Sequence, residues 1–340
     1  MIYKRLAALT LALLCLTSCA AMLDREATYT SPHVEDPPAS LLDAYRVNTY
    51  SGLCSALQSY VEEGMTEGSL RFPVTYPGNL TVDLEKAKRQ LMEEDPLGCY
   101  ALSDIAFHIN RIIAYYEVTA AFDYRVPPVE YMNFETVRTD GELDAQMEKA
   151  LEEFGGQITV ILARREEERD APEESLHRVY NTRPDLALGE PTLEVTYYPE
   201  TGPRAVAEIK LTYPESATVL HLRQRNLLRA AQTVADAVEG DAPLALRSAL
   251  LARCTYDRSG GGTATAALLD GTASDEGLAR AFDLLCGLKE IKTLGVVEEA
   301  EGWHCLIDEN GVETAIHFKP DAEPSTQAIA TLDQGEEETT

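Results

Sequence analysis

The chain has 340 residues, 45% of them apolar, which is enough for two or three cores of ordinary size. Its formal net charge is −28 at pH 7. Such a surface repels phosphate backbones and anionic headgroups, so nucleic-acid binding is excluded as a working function.

The N-terminal segment reads as an export signal. Lys4 and Arg5 form a short basic region, and Leu6 to Leu16 form an apolar run too short to span a bilayer. It ends in Leu16-Thr17-Ser18-Cys19, which resembles a bacterial lipobox. The resemblance implies cleavage after residue 18 and diacylglycerol on Cys19, which would tether the chain to the extracytoplasmic face of the cell membrane. Residues 19–48 are acidic, carry Pro32, Pro37 and Pro38, and are expected to form a flexible stalk. Five cysteines follow the stalk: Cys54, Cys99, Cys254, Cys286 and Cys305. An odd number cannot pair completely within one chain, and the sequence specifies no pairing.

Residues 49–218 contain a weak internal repeat. The first copy, 49–128, predicts a helix over 53–63, an extended run over 69–75, a helix over 80–92 stopped by Pro96, and strands over 101–108 and 113–124. The second, 129–218, repeats that order: helix 143–154, extended 157–162, helix 173–180 stopped at Arg183-Pro184, and strands 193–198 and 205–213. Pro184 lies 88 residues after Pro96, Ile158 lies 88 after Leu70, and Tyr213 lies 89 after Tyr124. The pattern predicts two α+β modules, each an antiparallel sheet with helices on one face. A single larger α+β domain with accidental symmetry is the alternative. The charge-dense run 164–173 is expected to be a solvated loop.

From Leu220 the pattern turns helical, with helices over 222–238 and 243–254. Gly260-Gly261-Gly262 follow. No Gly-Lys-Ser/Thr accompanies them, so they are expected to be a flexible loop rather than a phosphate cradle. Ala273 to Leu288 predicts a helix with Leu278, Ala281, Phe282, Leu284, Leu285 and Leu288 on one broad face, capped by Ser274 or Asp275. Strands are predicted over 293–297, 303–308 and 312–318, with a turn at Asp308-Glu309-Asn310-Gly311. Residues 323–340 are acidic and are expected to be disordered.

Gly271-Thr272-Ala273-Ser274-Asp275-Glu276-Gly277-Leu278-Ala279, with Ala281-Phe282 and Leu284-Leu285 behind it, resembles the nucleophile helix of the transglutaminase-like superfamily. Tyr256-Asp257 resembles the element that precedes that helix, and His317-Phe318-Lys319-Pro320 resembles the family's last strand motif. The resemblance implies, for residues 219–322, an α+β domain with a papain-like core. It also places Asp275 at the catalytic cysteine, Gly302 at the histidine and Lys319 at the aspartate. His304 is the alternative histidine if the hairpin is shortened. A cysteine–histidine mechanism needs a thiolate, a base and an orienting group, and none of the three matched positions supplies one.

Two functional classes follow. The first is a catalytically inactive, membrane-anchored binding module for a wall peptide, a glycan or a surface protein, with Tyr256, Trp303 and His304 as candidate cleft residues and no cofactor. The second is a cysteine-dependent peptidase or amidase with relocated chemistry, drawn from Cys254, Tyr256, Cys286, His304, Cys305 and His317. A zinc site from Cys286, His304, Cys305 and His317 is a minor variant, because the spacings match no standard set and His304 and Cys305 should face opposite sides of a strand.

Overall fold

The structure, a computed structural model, describes residues 44–328 apart from 167–168, 190, 241, 301, 309–310 and 320–324. The export signal, Cys19 and most of the stalk lie outside the described residues.

The fold is mixed α+β. Residues 45–124 run β1 (Tyr45–Arg46), α1 (Tyr50–Glu62), β2 (Glu67–Pro73), α2 (Leu80–Glu94), α3 (Pro96–Ala101), β3 (Leu102–Ile112) and β4 (Tyr115–Tyr124). After a single helical turn, α4 (Pro128–Tyr131), come β5 (Glu135–Val137), α5 (Asp140–Glu152), β6 (Gly156–Leu162), α6 (Ala171–Thr182), β7 (Thr192–Tyr198) and β8 (Ala205–Thr212). The two sheets have orders β1-β2-β4-β3 and β5-β6-β8-β7, each with its first pair parallel and the other two antiparallel.

The same local chemistry builds both. Thr49 caps α1 by accepting from Gly52 N, and Thr139 caps α5 in a reciprocal box with Glu142. Leu53, Leu57 and Val61 are buried one helical turn apart in α1, as are Leu143, Met147 and Leu151 in α5. Tyr45 pairs with Leu70 and Glu135 pairs with Val160, so Val160, not Ile158, is the residue equivalent to Leu70. A two-residue slip keeps every side chain on the same face of a strand, so alternation alone cannot detect it.

Several elements differ from expectation. β1 lies within the residues assigned to the stalk, where its two residues gain order by pairing their backbone with β2. Pro96 does not only stop α2. It occupies the first turn of α3, where Asp95 caps by accepting from Gly98 N at 2.9 Å and a proline N–H is not needed. Beyond residue 322, Ser325–Ala328 form β14 rather than a disordered tail, because backbone pairing with an open strand edge needs no apolar side chain.

The remaining chain runs α7 (Ala217–Asp236), α8 (Pro243–Leu251), β9 (Thr255–Gly261), a π-helical turn (Ala266–Asp270), β10 (Thr272–Ala273), α9 (Asp275–Leu288), β11 (Thr293–Glu299), β12 (Gly302–Asp308) and β13 (Val312–His317), then β14. The sheet β11-β12-β13-β14 is antiparallel throughout, and α9 packs across it against α7 and α8 on its other side. Leu278, Ala281, Phe282 and Leu285 are fully buried there, whereas Leu288, the last residue of the predicted face, is partly exposed where the helix ends.

The first sheet has its own core, built on residues such as Leu57, Leu70, Phe72 and Val118. The second does not. Its interior, from Val137 through Ile209, continues without a break into Leu227, Phe282, Ile307 and Phe318. A small cluster of Tyr100, Ala101, Tyr131 and Val206 joins the two halves, with Tyr131 also donating its hydroxyl to Val61 O at 2.8 Å. Among the described residues, no helix is long and apolar enough to cross a membrane.

Candidate functional site

The N-terminus of α9 is assembled by close backbone approach. Ser274 caps the helix by accepting from Gly277 N. A side chain at Gly260 would press on the Ala273 backbone, and one at Gly277 would overlap Gly261 O and Thr263 O. The glycine run is therefore not a flexible loop: it ends β9 and lets that strand lie directly against the first turn of α9.

Asp275 is the first residue of α9, where the unpaired N–H groups favour an anion. Its Oδ2 accepts from Trp303 N at 3.2 Å and lies 3.6 Å from Lys319 Nζ. Gly302 sits beneath this pair with φ +109, and a Cβ there would overlap both Lys319 Nζ and Asp275 Oδ2. Asp275, Gly302 and Lys319 thus meet at one point, from α9, β12 and the residues after β13. The pair occupies the space a side chain at residue 302 would need. An ion pair with one half-exposed member does not supply a nucleophile or a proton shuttle.

Strand alternation separates the other candidates. Cys305 faces α9, its thiol directed at Asp283 Oδ1 at 3.9 Å. His304 faces the opposite side of β12, fully buried, with its ring 4.8 Å from that of His317 on β13. Its Nδ1 lies 3.2 Å from Gly302 O and its Nε2 lies 3.9 Å from Glu299 Oε2. Cys286 is buried in α9, and burial raises its thiol well above the ordinary value. Burial, reinforced by Asp283, does the same to Cys305, and burial also raises Cys254. These thiols are held protonated, the reverse of an activated nucleophile. Among the described residues, no group of three or more His, Cys, Asp or Glu is placed to hold a metal ion.

All five cysteines after the stalk are unpaired, with Cys54 and Cys99 half-buried and the other three buried. A charged alkylating reagent is therefore expected to modify Cys54 and Cys99 in the native protein and to spare Cys254, Cys286 and Cys305 until denaturant is added. Mass spectrometry of timed reactions checks this; rapid native labelling of Cys305 would contradict it.

Asp283 gives a pH-dependent prediction. Burial raises its carboxyl, with the Thr293 side chain and Cys305 opposing that shift. The folded state binds this proton more tightly than the unfolded chain. Its stabilising contribution is complete below the usual carboxylate range and is lost as pH rises through the raised value. Asp283→Asn, which cannot ionise, is expected to raise Tm by about 2–4 °C at pH 7, the size of a ~1 kcal/mol change. The gap should close at pH 4. Equal effects at both pH values would show that charge is not the cause.

A cleft of about 570 Å³ lies between the second sheet and the terminal region. Leu193, Val195 and Tyr197, at alternate positions of β7, line one side together with Leu176 and Tyr180 of α6. Asp170, Glu173 and His177 stand at the α6 rim, and Gly262, Thr263, Glu276 and Arg280 form the opposing wall. Arg280 is almost fully buried. It donates to Asn181 Oδ1 at 2.9 Å and Gly262 O at 2.7 Å, and it pairs with Glu276 Oε1 at 2.9 Å. Its guanidinium also lies 5.7 Å from the Trp303 ring centre and 5.9 Å from that of Tyr180. Burial raises the Glu276 carboxyl despite the nearby guanidinium.

None of the three candidate cleft residues lines this cleft. Tyr256 and Trp303 are half-buried and pack on the core, and His304 is enclosed on the far side of β12. Trp303 reaches the wall only through Arg280. The residues overlooked were Glu276 and Arg280. An arginine amid the apolar residues of a predicted buried helix is the signal that could have found them, because Arg is almost never buried unpaired. No family model matches the chain, and no curated protein matches it in sequence.

Proposed function

We propose that this is a membrane-anchored extracytoplasmic lipoprotein whose terminal domain has a transglutaminase-like, papain-like core without catalysis, preceded by two α/β repeat modules, and that it acts as a binding module at the cell surface. One observation carries the non-catalytic assignment: the Asp275–Lys319 pair closes over Gly302 at the N-terminus of α9. A helix whose first turn meets one end of an antiparallel sheet is the arrangement the resemblance calls for. The identical strand order of the first two sheets supports an internal duplication. The cleft beside α9, within the 300–1,000 Å³ typical of ligand sites, supports binding.

Relocated cysteine chemistry is disfavoured by geometry. The buried thiol of Cys305 and the imidazole of His304 project from opposite faces of β12. The test has two arms. Full-length protein and Cys19→Ala are compared in membrane and soluble fractions, and only the variant is expected in the soluble one. The membrane protein is then assayed on peptide amides with and without an amine acceptor, and no turnover is expected. Retention of Cys19→Ala in the membrane would remove the lipid anchor, and turnover abolished by Cys305→Ala would replace a binding module with an enzyme.

A further inference from the structure

We infer that the cleft takes an extended basic peptide, which adds to the second sheet as a strand beyond β7. This rests on the binding function proposed above and names its ligand class. β7 ends its sheet: it pairs with β8 on one side, and among the described residues no strand pairs with the other. Backbone N–H and C=O groups along such an edge are a template for another strand. The edge runs beside the cleft, since Leu193, Val195 and Tyr197 all line it. Seven residues of β7 offer roughly 23 Å of edge at ~3.3 Å per residue, enough for a short extended segment.

The equivalent edge of the first sheet, β3, is treated differently. There Lys88 donates to Ile105 O of β3 at 2.8 Å and pairs with Asp104, which places a charge against the edge strand. Among the described residues, no lysine or arginine side chain donates to the β7 backbone in this way; Arg165 lies over the Tyr197 ring at 3.8 Å, and its guanidinium donates to Glu200 O beyond the strand.

The charge of the cleft selects the ligand. Asp170 and Glu173 stand on one rim and Glu276 on the other wall. The buried cation there, Arg280, has its donors directed to Glu276, Asn181 and Gly262 O. Burial still raises the Glu276 carboxyl, so a second cation near it would be welcomed. In a strand added to β7, every second side chain faces the cleft, so basic residues at alternate positions lay their methylene stems along Leu193 and Val195 and reach the carboxylates, while the residues between them point to the other face of the sheet. The chain's own C-terminal segment is unsuitable: after Pro320 it carries six acidic residues and no Lys or Arg.

The probe is the fluorescein-labelled octapeptide Lys-Val-Lys-Val-Lys-Val-Lys-Val, titrated against the detergent-solubilised full chain and followed by anisotropy. Two control peptides carry Glu for Lys, or N-methyl groups on alternate backbone amides. The Lys peptide is expected to bind, and each control at least about ten-fold more weakly. Glu173→Gln, an exposed change that leaves the core untouched, should weaken the Lys peptide and reduce its salt dependence. Equal binding of the N-methylated peptide would overturn strand addition, and equal binding of the Glu peptide would overturn the charge assignment. No binding of the Lys peptide by a protein that also turns over no amide would overturn this inference alone; amide turnover would overturn the binding function beneath it.

Discussion

Gly302→Ala is expected to destabilise the terminal region by about 1–3 kcal/mol, the cost of holding a side chain in backbone space that glycine alone occupies readily. The φ of residue 302 is +109, and its Cβ would overlap Lys319 Nζ and Asp275 Oδ2 together. The two sources of loss are separable. Lys319→Ala removes the flexible obstacle and leaves the backbone strain, so Gly302→Ala should cost less in a Lys319→Ala background without becoming neutral. Trp303 is the only tryptophan and its N–H lies on Asp275, so its fluorescence in a urea titration reports on the site itself. A Gly302→Ala midpoint equal to that of the parent protein would refute the account. The same geometry explains why replacing Asp275 with cysteine should not yield an enzyme. An imidazole at residue 302 must first displace the lysine, and the backbone beneath it is shaped for no side chain.

This site was legible in the sequence for a physical reason. A glycine before a helix, a serine cap and an apolar helical face are local signals, and together they fixed where Asp275 stands. Counting back from a hairpin turn then placed Gly302, because strand pairing transmits register without knowledge of side chains. The turn itself is held by Asp308 Oδ1 accepting from Gly311 N at 2.7 Å, an interaction within four residues. Helices α1 and α5 were visible through their spacing.

The elements that were missed depend on partners distant in sequence. β1 and β14 are short and owe their order to an edge offered by another strand. The continuous core from Val137 to Phe318 joins segments that composition treats as separate. The cleft arises only when α6 and β7 come to face α9, and nothing in either segment announces the other. His304, expected in the cleft, is fully buried instead, because the sequence of a strand gives no sign of whether its outer face is covered.

Arg280→Met should have the larger effect, about 3 kcal/mol, the lower end of the cost of removing one member of a buried charge pair. The lower end applies because Glu276 retains some contact with water. Methionine keeps much of the volume, so the loss isolates the guanidinium. That group binds Asn181 on α6 and, on the terminal side, Glu276 and Gly262 O. It also lies between the Tyr180 and Trp303 rings. It is therefore a polar tie across the boundary where the second sheet meets α9. Arg280→Lys retains charge but not the planar fork, so it should fall between parent and methionine variant. Glu276→Gln should cost less than either, since the guanidinium keeps Asn181 and the Gly262 carbonyl. If the tie holds the two regions together, Arg280→Met will separate the Trp303 transition from the loss of far-UV ellipticity in urea, whereas the parent is expected to give coincident curves. Coincident curves with an unchanged midpoint would mean that apolar packing across the shared core joins the regions without help. The peptide titration then gains a second use: the cleft is the gap this arginine spans, and a variant that loosens it should lose ligand before it loses fold.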